Sequence, residues 1–160
     1  MAALEKEHWF YRGKRAIVKL WINRLLTLKP SDRLIDIGCG TGMLVEAMRQ
    51  VCRSFGVETS SLGLDIAREY NRKYIISGNI LSLPLKDNCA KVVTALDVLE
   101  HIKDDRKALE ELVRISEVSG IIVISVPACP YLMGDWDKSL GHFRRYRVSD
   151  FQHLLSGLPV

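Results

Sequence analysis

The nine residues LIDIGCGTG, Leu34 to Gly42, constrain this chain more than any other stretch. Leu34, Ile35 and Ile37 read as part of a short buried strand, Arg33 to Ile37. The glycines at 38, 40 and 42 permit positive φ and close approach of a ligand to the backbone. From Met43 the run MLVEAMRQVC has helical periodicity, so the unit is strand, tight turn and helix, with free N–H groups at the helix start. The glycine spacing is G-x-G-x-G. Met43 stands where the dinucleotide fingerprint needs its third glycine, which argues against a pyrophosphate-binding turn and a nicotinamide-dependent oxidoreductase.

The same alternation continues along the chain without a fixed-period repeat. FGVE (Phe55 to Glu58) reads as a second strand, and Thr59, Ser60 and Ser61 are N-cap candidates for a helix through LGLDIAREYNRK. YIIS (Tyr74 to Ser77) is a third strand, KVVTALD (Lys91 to Asp97) a fourth and IIVISV (Ile121 to Val126) a fifth, with a helix over Asp104 to Ser116 between the last two. Continuous apolar strands alternating with amphipathic helices predict a parallel sheet covered on both faces, a doubly wound, Rossmann-like α/β fold of about five strands. Upstream, residues 3 to 28 place Trp9, Ile17, Leu20, Trp21, Leu25 and Leu28 near helical spacing, which predicts one or two amphipathic helices broken near Gly13. The chain therefore divides into an N-terminal helical cap, 1–30, and a ligand-binding domain, 31–160.

Composition narrows the class. The 160 residues suffice for one domain, and 23 Lys plus Arg against 19 Asp plus Glu give a formal charge of +4, too mild to imply nucleic acid alone. The excess is local: residues 1 to 24 carry six basic and two acidic side chains. Cys39, Cys52, Cys89 and Cys129 form no C-x-x-C pair, so reduced thiols are expected, with neither a zinc site nor a disulfide framework. The apolar run Ile121 to Val126 is far short of a membrane span, so no membrane partner is expected and the prior is a cytoplasmic enzyme or binding protein.

LIDIGCGTG resembles motif I of class I S-adenosylmethionine-dependent methyltransferases, and the likeness extends over nearly the whole chain, to the type 11/12-like subgroup. It implies S-adenosyl-L-methionine as cofactor, with Asp36, Gly38, Gly40 and Gly42 beneath its methionine and ribose portions. Two acids compete for the ribose hydroxyls. Glu58 lies 22 residues after Asp36, close to the interval of a βαβ unit, whereas Asp65 belongs to a helical pattern and reads as solvated. After strand three the family has Gly-Asp; here Gly78 and Asn79 stand there. The Asn79 carbonyl can accept the adenine N–H, with Ile80 beside the ring, and the competing reading of Asn79 is a turn residue.

In ALDVLEHI, Asp97 and Leu99 match positions lining the methionine end. Glu100, His101 and Asp104 invite a metal reading, but ligands at i, i+1 and i+4 converge poorly and methyl transfer needs no metal, so none is expected. The long segment after strand five, PACPYLMGDWDKSLGHFRRYR, also resembles the family and reads as a lid. His142 and His101 are the candidate bases, with Tyr146 weaker; His101 is equally a capping or core histidine. Arg144 and Arg145 either anchor the loop to acids or bind an anionic substrate group. The N-terminal EHWFYRGKR matches the subgroup too, and places Tyr11 and Arg12 over the methionine carboxylate. The family closes with an antiparallel strand pair not seen here, which leaves strand five as an edge open to a partner chain. A small-molecule methyl acceptor is expected, with RNA or protein substrates kept open. The competing class is a non-catalytic module that binds cofactor or partner without turnover.

Overall fold

A computed structural model describes residues 8–70 and 72–160. Helix α1 (Trp9–Leu25) precedes β1 (Arg33–Ile37), α2 (Met43–Met48), β2 (Arg53–Glu58), α3 (Ser61–Glu69), β3 (Ile75–Ser77) and β4 (Ala90–Leu96). A single 3₁₀ turn, Leu99–His101, leads into α4 (Asp105–Ile115) and β5 (Ser116–Ser125). Beyond it come a second 3₁₀ turn (Pro130–Leu132), α5 (Asp135–Ser139) and α6 (Val148–Leu155). Every strand pair is parallel, in the order β3-β2-β1-β4-β5. This is the doubly wound sheet expected from the sequence, with β5 at an edge. Residues 1–7, at the start of the predicted cap segment, and Asn71, near the end of the helix predicted through LGLDIAREYNRK, lie outside the described residues.

Period-two alternation sorts the strand residues to two faces. Leu34 and Val92 join Val18, Ile22, Leu44, Met48 and Cys52 in one core cluster, under α1 and α2. Ile35, Ile37, Val93 and Ala95 join Leu109, Leu112, Ile115 and Tyr146 in the other, under α4 and α6. Two elements depart from the sequence reading. Helix α1 is unbroken through Gly13: a mid-helix glycine costs only about 1 kcal/mol, and burial of Val18 and Ile22 outweighs it. The face is also different, because Trp9, Ile17, Leu20, Trp21 and Leu25 are exposed. Strand β5 begins five residues early, at Ser116, which is itself the C-cap of α4, with a register irregularity between Ala90 and Val92.

The glycine turn is built as the spacing requires. Gly38 has φ +68°, and a Cβ there would come 2.5 Å from Val98 Cγ2, a methyl of a stiff β-branched side chain. At Gly40, φ is +55° but nothing lies within 4 Å. Alanine at 40 therefore meets backbone strain alone, about 1 kcal/mol, whereas alanine at 38 meets strain and a clash, about 3 kcal/mol together. Urea unfolding of the two variants should show that ordering; equal losses would mean that Val98 yields freely.

Candidate active site

The carboxyl ends of β1 to β4 surround a cleft of about 400 Å³ lined by Gly38, Thr59, Asn79, Ile80, Val98, His101 and Phe143 among others. Gly38, Asn79, Ile80 and His101 were each singled out from the sequence, and the fold brings them to one cavity. Glu58 ends β2 with its carboxylate buried: one oxygen accepts from Thr59 N–H at 2.8 Å and Ser60 N–H at 2.6 Å, the other from Gly40 N–H at 2.7 Å. A carboxylate has about four acceptor directions, so one remains. Asp65 is exposed and paired with Arg68, as expected of a helix surface. Asn79 does act as a turn residue, its Oδ1 accepting Leu81 N–H at 2.9 Å, while lining the cleft as well.

Asp36 lies in β1, buried, and accepts the Thr94 hydroxyl at 2.5 Å. Burial in the sheet pushes its carboxyl up to about 7, against the single hydrogen bond from Thr94. Asp97 follows β4 at φ +54° and is held by the Ser125 hydroxyl at 3.0 Å and an ion pair with Lys14 of α1. Lys14 thus ties α1 to the end of β4. Tyr11 and Arg12 are exposed earlier on the same helix. No sequence signal links Lys14 to an acid 83 positions away.

Leu99, matched in the sequence to a position at the methionine end, has its side chain in the core. It is wholly buried in the core, because the 3₁₀ turn points it inward between β4 and Tyr146, whose hydroxyl donates to the Leu99 carbonyl at 3.1 Å. Tyr146 is equally removed as a base: it is buried, bonded to Asp105 at 3.0 Å, and its phenol is raised well above its ordinary range by desolvation and by Asp105. Its neighbours settle the two readings of the arginines. Arg144 binds buried Asp105 at 2.8 Å and the Lys103 carbonyl; Arg145 binds buried Asp137 at 2.8 Å and the Ala128 carbonyl. Both are anchors.

Asp137 is the residue that sequence reasoning missed. From α5 it caps its own helix through Gly134 N–H, pairs with Arg145 and holds His142 Nδ1 at 3.0 Å. Arg145 above all keeps its carboxyl far below the usual range. The signal was present in the D-x-x-x-x-H-x-x-R spacing, Asp137 to Arg145, but a charged residue beside Trp136 in a loop reads as solvated. His142 packs edge-on against His101, ring centroids 4.7 Å apart. Partial burial lowers the His101 pKa, and His142 lowers it further. Glu100, buried behind them, is raised to about 7 by desolvation.

The geometry is that of a methyltransferase domain, and the profile of that domain family matches residues 35–124, over half of the chain. The chain belongs to this family. Its curated relatives include a demethylmenaquinone methyltransferase of Corynebacterium urealyticum, 29% identical, over 72% of this chain and 52% of the relative. A probable S-adenosylmethionine-dependent methyltransferase of Mycolicibacterium smegmatis is 27% identical over 94% of this chain and 58% of its own. The chain thus spans about half the length of the curated relatives it matches. Among solved structures, a chain of the Haloferax volcanii complex containing the Trm112 methyltransferase activator superposes with TM-score 0.77 at 20% identity, covering 96% of this chain and 69% of that one. Phosphoethanolamine N-methyltransferase 2 of Haemonchus contortus, solved with S-adenosyl-L-methionine, gives 0.71 at 18%, covering 89% and 35%. At these identities the structural likeness speaks for the fold.

Asp36 generates a pH expectation. Its folded pKa of about 7 exceeds its ordinary 3.8, so between those values the folded state holds a proton that the unfolded chain has released. Stability from this group is therefore greatest at low pH and declines as pH rises through that window, by on the order of 4 kcal/mol. Asp36→Asn should flatten that decline in urea unfolding measured from pH 5 to 8; an unchanged slope would show that Asp36 is ionised in the fold.

Proposed function

We propose that this chain is the core of an S-adenosyl-L-methionine-dependent methyltransferase acting on a small molecule. The observation that carries the reading is the convergence of Gly38, Thr59, Asn79 and His101, each following a different strand of the parallel sheet, on one cleft. In this reading the glycine turn and Asp36 underlie the methionine and ribose portions, and the free acceptor direction of Glu58 takes a ribose hydroxyl. Asn79 takes the adenine N–H beside Ile80. Asp97 and Lys14 hold the amino-acid end, with Tyr11 and Arg12 above it.

When bound, S-adenosylmethionine supplies an already activated methyl group. The chain must place the acceptor in line with it, exclude water and receive a proton, and alignment can contribute several kcal/mol. Lid residue Phe143 and the His101–His142 pair stand at the acceptor side. Desolvation favours a neutral imidazole at His101, which can take that proton.

A small acceptor is favoured because Arg144 and Arg145, two of the three arginines in GHFRRYR, are tied to internal acids. The Corynebacterium relative is named for demethylmenaquinone, and an organic ring acceptor of that size is the first to test. Among the described residues no helix is long and apolar enough to cross a membrane. A partner chain has a place beside β5, which among the described residues pairs with β4 alone.

The purified chain should bind one equivalent of S-adenosylmethionine by calorimetry, and mass spectrometry should find that cofactor retained. Recovery of a nicotinamide nucleotide instead would sink the reading. In a screen of ring and amine acceptors, His142→Ala should lower methyl transfer by roughly 10²-fold or more while cofactor affinity stays within about threefold. Equal loss of both would make His142 a structural residue.

A further inference from the structure

We propose that Glu100, His101 and His142 form a binding site for a zinc-class divalent cation whose open position faces the acceptor cleft. Their candidate donor atoms all lie within 4.8 Å of one another. Glu100 is 1% exposed, and its Oε2 is buried without a hydrogen-bond partner. A buried carboxylate oxygen left unsatisfied is costly, and a cation beside it removes that cost. Two imidazoles and one carboxylate are a donor set that zinc takes in open, three-ligand sites.

The supporting groups are those such a site needs. Asp137 holds His142 Nδ1 at 3.0 Å, which leaves Nε2 as the nitrogen free to ligate. Outer acceptors of this kind orient metal-binding histidines and raise their basicity. The two segments that carry the ligands are also fastened to each other: Phe143 N–H donates to the Glu100 carbonyl at 2.7 Å, and Tyr146 to the Leu99 carbonyl. A tetrahedral ion with bonds of about 2.1 Å sets its donors about 3.4 Å apart, so closure asks for rotamer adjustments of up to about 1.4 Å. His101 lines the cleft, so the remaining coordination position opens toward the acceptor.

This departs from the sequence expectation of no metal, and the reason is visible. Asp104, the third ligand considered there, instead caps α4 through Lys107 N–H at 3.0 Å. The third ligand comes from the far strap, which no local spacing reveals. Binding stands on the geometry; only its use rests on the methyl-transfer reading. In that use the imidazoles are ligands, and an acceptor hydroxyl on the cation releases its proton to solvent before its oxygen bonds the methyl carbon and the carbon–sulfur bond breaks.

The test is titration of the chelator-treated chain with Zn²⁺ against a chromophoric competitor, together with the visible spectrum of the Co²⁺ form. One equivalent should bind at micromolar concentration or tighter. Glu100→Gln and His142→Asn should weaken it at least tenfold, and Asp137→Asn by roughly 10- to 100-fold. His153→Asn and Cys129→Ser should leave it unchanged, with folding of every variant checked by circular dichroism. Absence of binding to the wild-type chain overturns the inference, as does binding that survives Glu100→Gln and His142→Asn or is lost with Cys129. Calorimetry with S-adenosylmethionine on the same samples separates the two proposals: cofactor binding without metal binding overturns this one alone, and metal binding without cofactor binding overturns methyl transfer alone.

Discussion

One buried carboxylate sets the floor of the cleft. Glu58 gathers the amides of Gly40, Thr59 and Ser60, so the turn after β1 and the start of α3 are fixed to a single side chain. Hydrogen bonds to a charged acceptor are about twice as strong as neutral ones, and here they lie in a partly desolvated site. Because Gly40 must offer its N–H inward, the turn needs the left-handed backbone that glycine provides. The order of cause runs from the acid to the turn to the cavity. Whatever else Glu58 binds, it binds with a geometry already fixed by the backbone.

The same device closes the opposite wall. Asp105 holds Arg144 and Tyr146, and Asp137 holds Arg145, His142 and the start of α5. Each acid is buried and each is compensated several times over, the condition under which a buried ionic network orders a structure instead of disrupting it. A segment of irregular backbone between β5 and α6 is thereby given one conformation. Half-exposed Phe143 is thereby held at the cleft and His142 against His101, with their neighbours in GHFRRYR tied down on both sides.

The sheet was legible in the sequence because fully buried parallel strands leave continuous apolar runs, and β1 matches its expected bounds residue for residue. The glycine turn and Glu58 were legible because their spacing is set by one βαβ unit. What escaped depends on packing between distant segments. Helix α1 shows the right period but the unexpected face, since Val18 and Ile22 are chosen by the sheet they meet and not by the helix itself. Leu99 matched a position in a pattern yet turned into the core, while its neighbour Glu100, a charged residue, was buried beside it. The partnerships of Lys14 with Asp97 and of Asp137 with His142 join elements whose relative placement no single sequence states.

Residues that break local rules are not scattered evenly. Asp36 is an acid inside a strand with one hydroxyl for a partner, Asp97 takes a left-handed backbone without being glycine, and Glu100 buries an oxygen that nothing satisfies. All three lie in or just after β1 and β4, the adjacent strands between which the order of the sheet reverses. Elsewhere the buried acids Glu58, Asp105 and Asp137 each have several partners, Ser60 and Asp104 cap their helices, and the comparable exceptions are the unpaired Ser54 hydroxyl in β2 and the left-handed Asn88 and Cys129. A fold tolerates such conflicts where something outside the chain resolves them. A cationic group resting against Asp36 and Asp97, and a second cation against Glu100, would each turn an energetic cost of the free chain into binding free energy, so the strain at the switch point is itself an argument that the cleft is built to be filled.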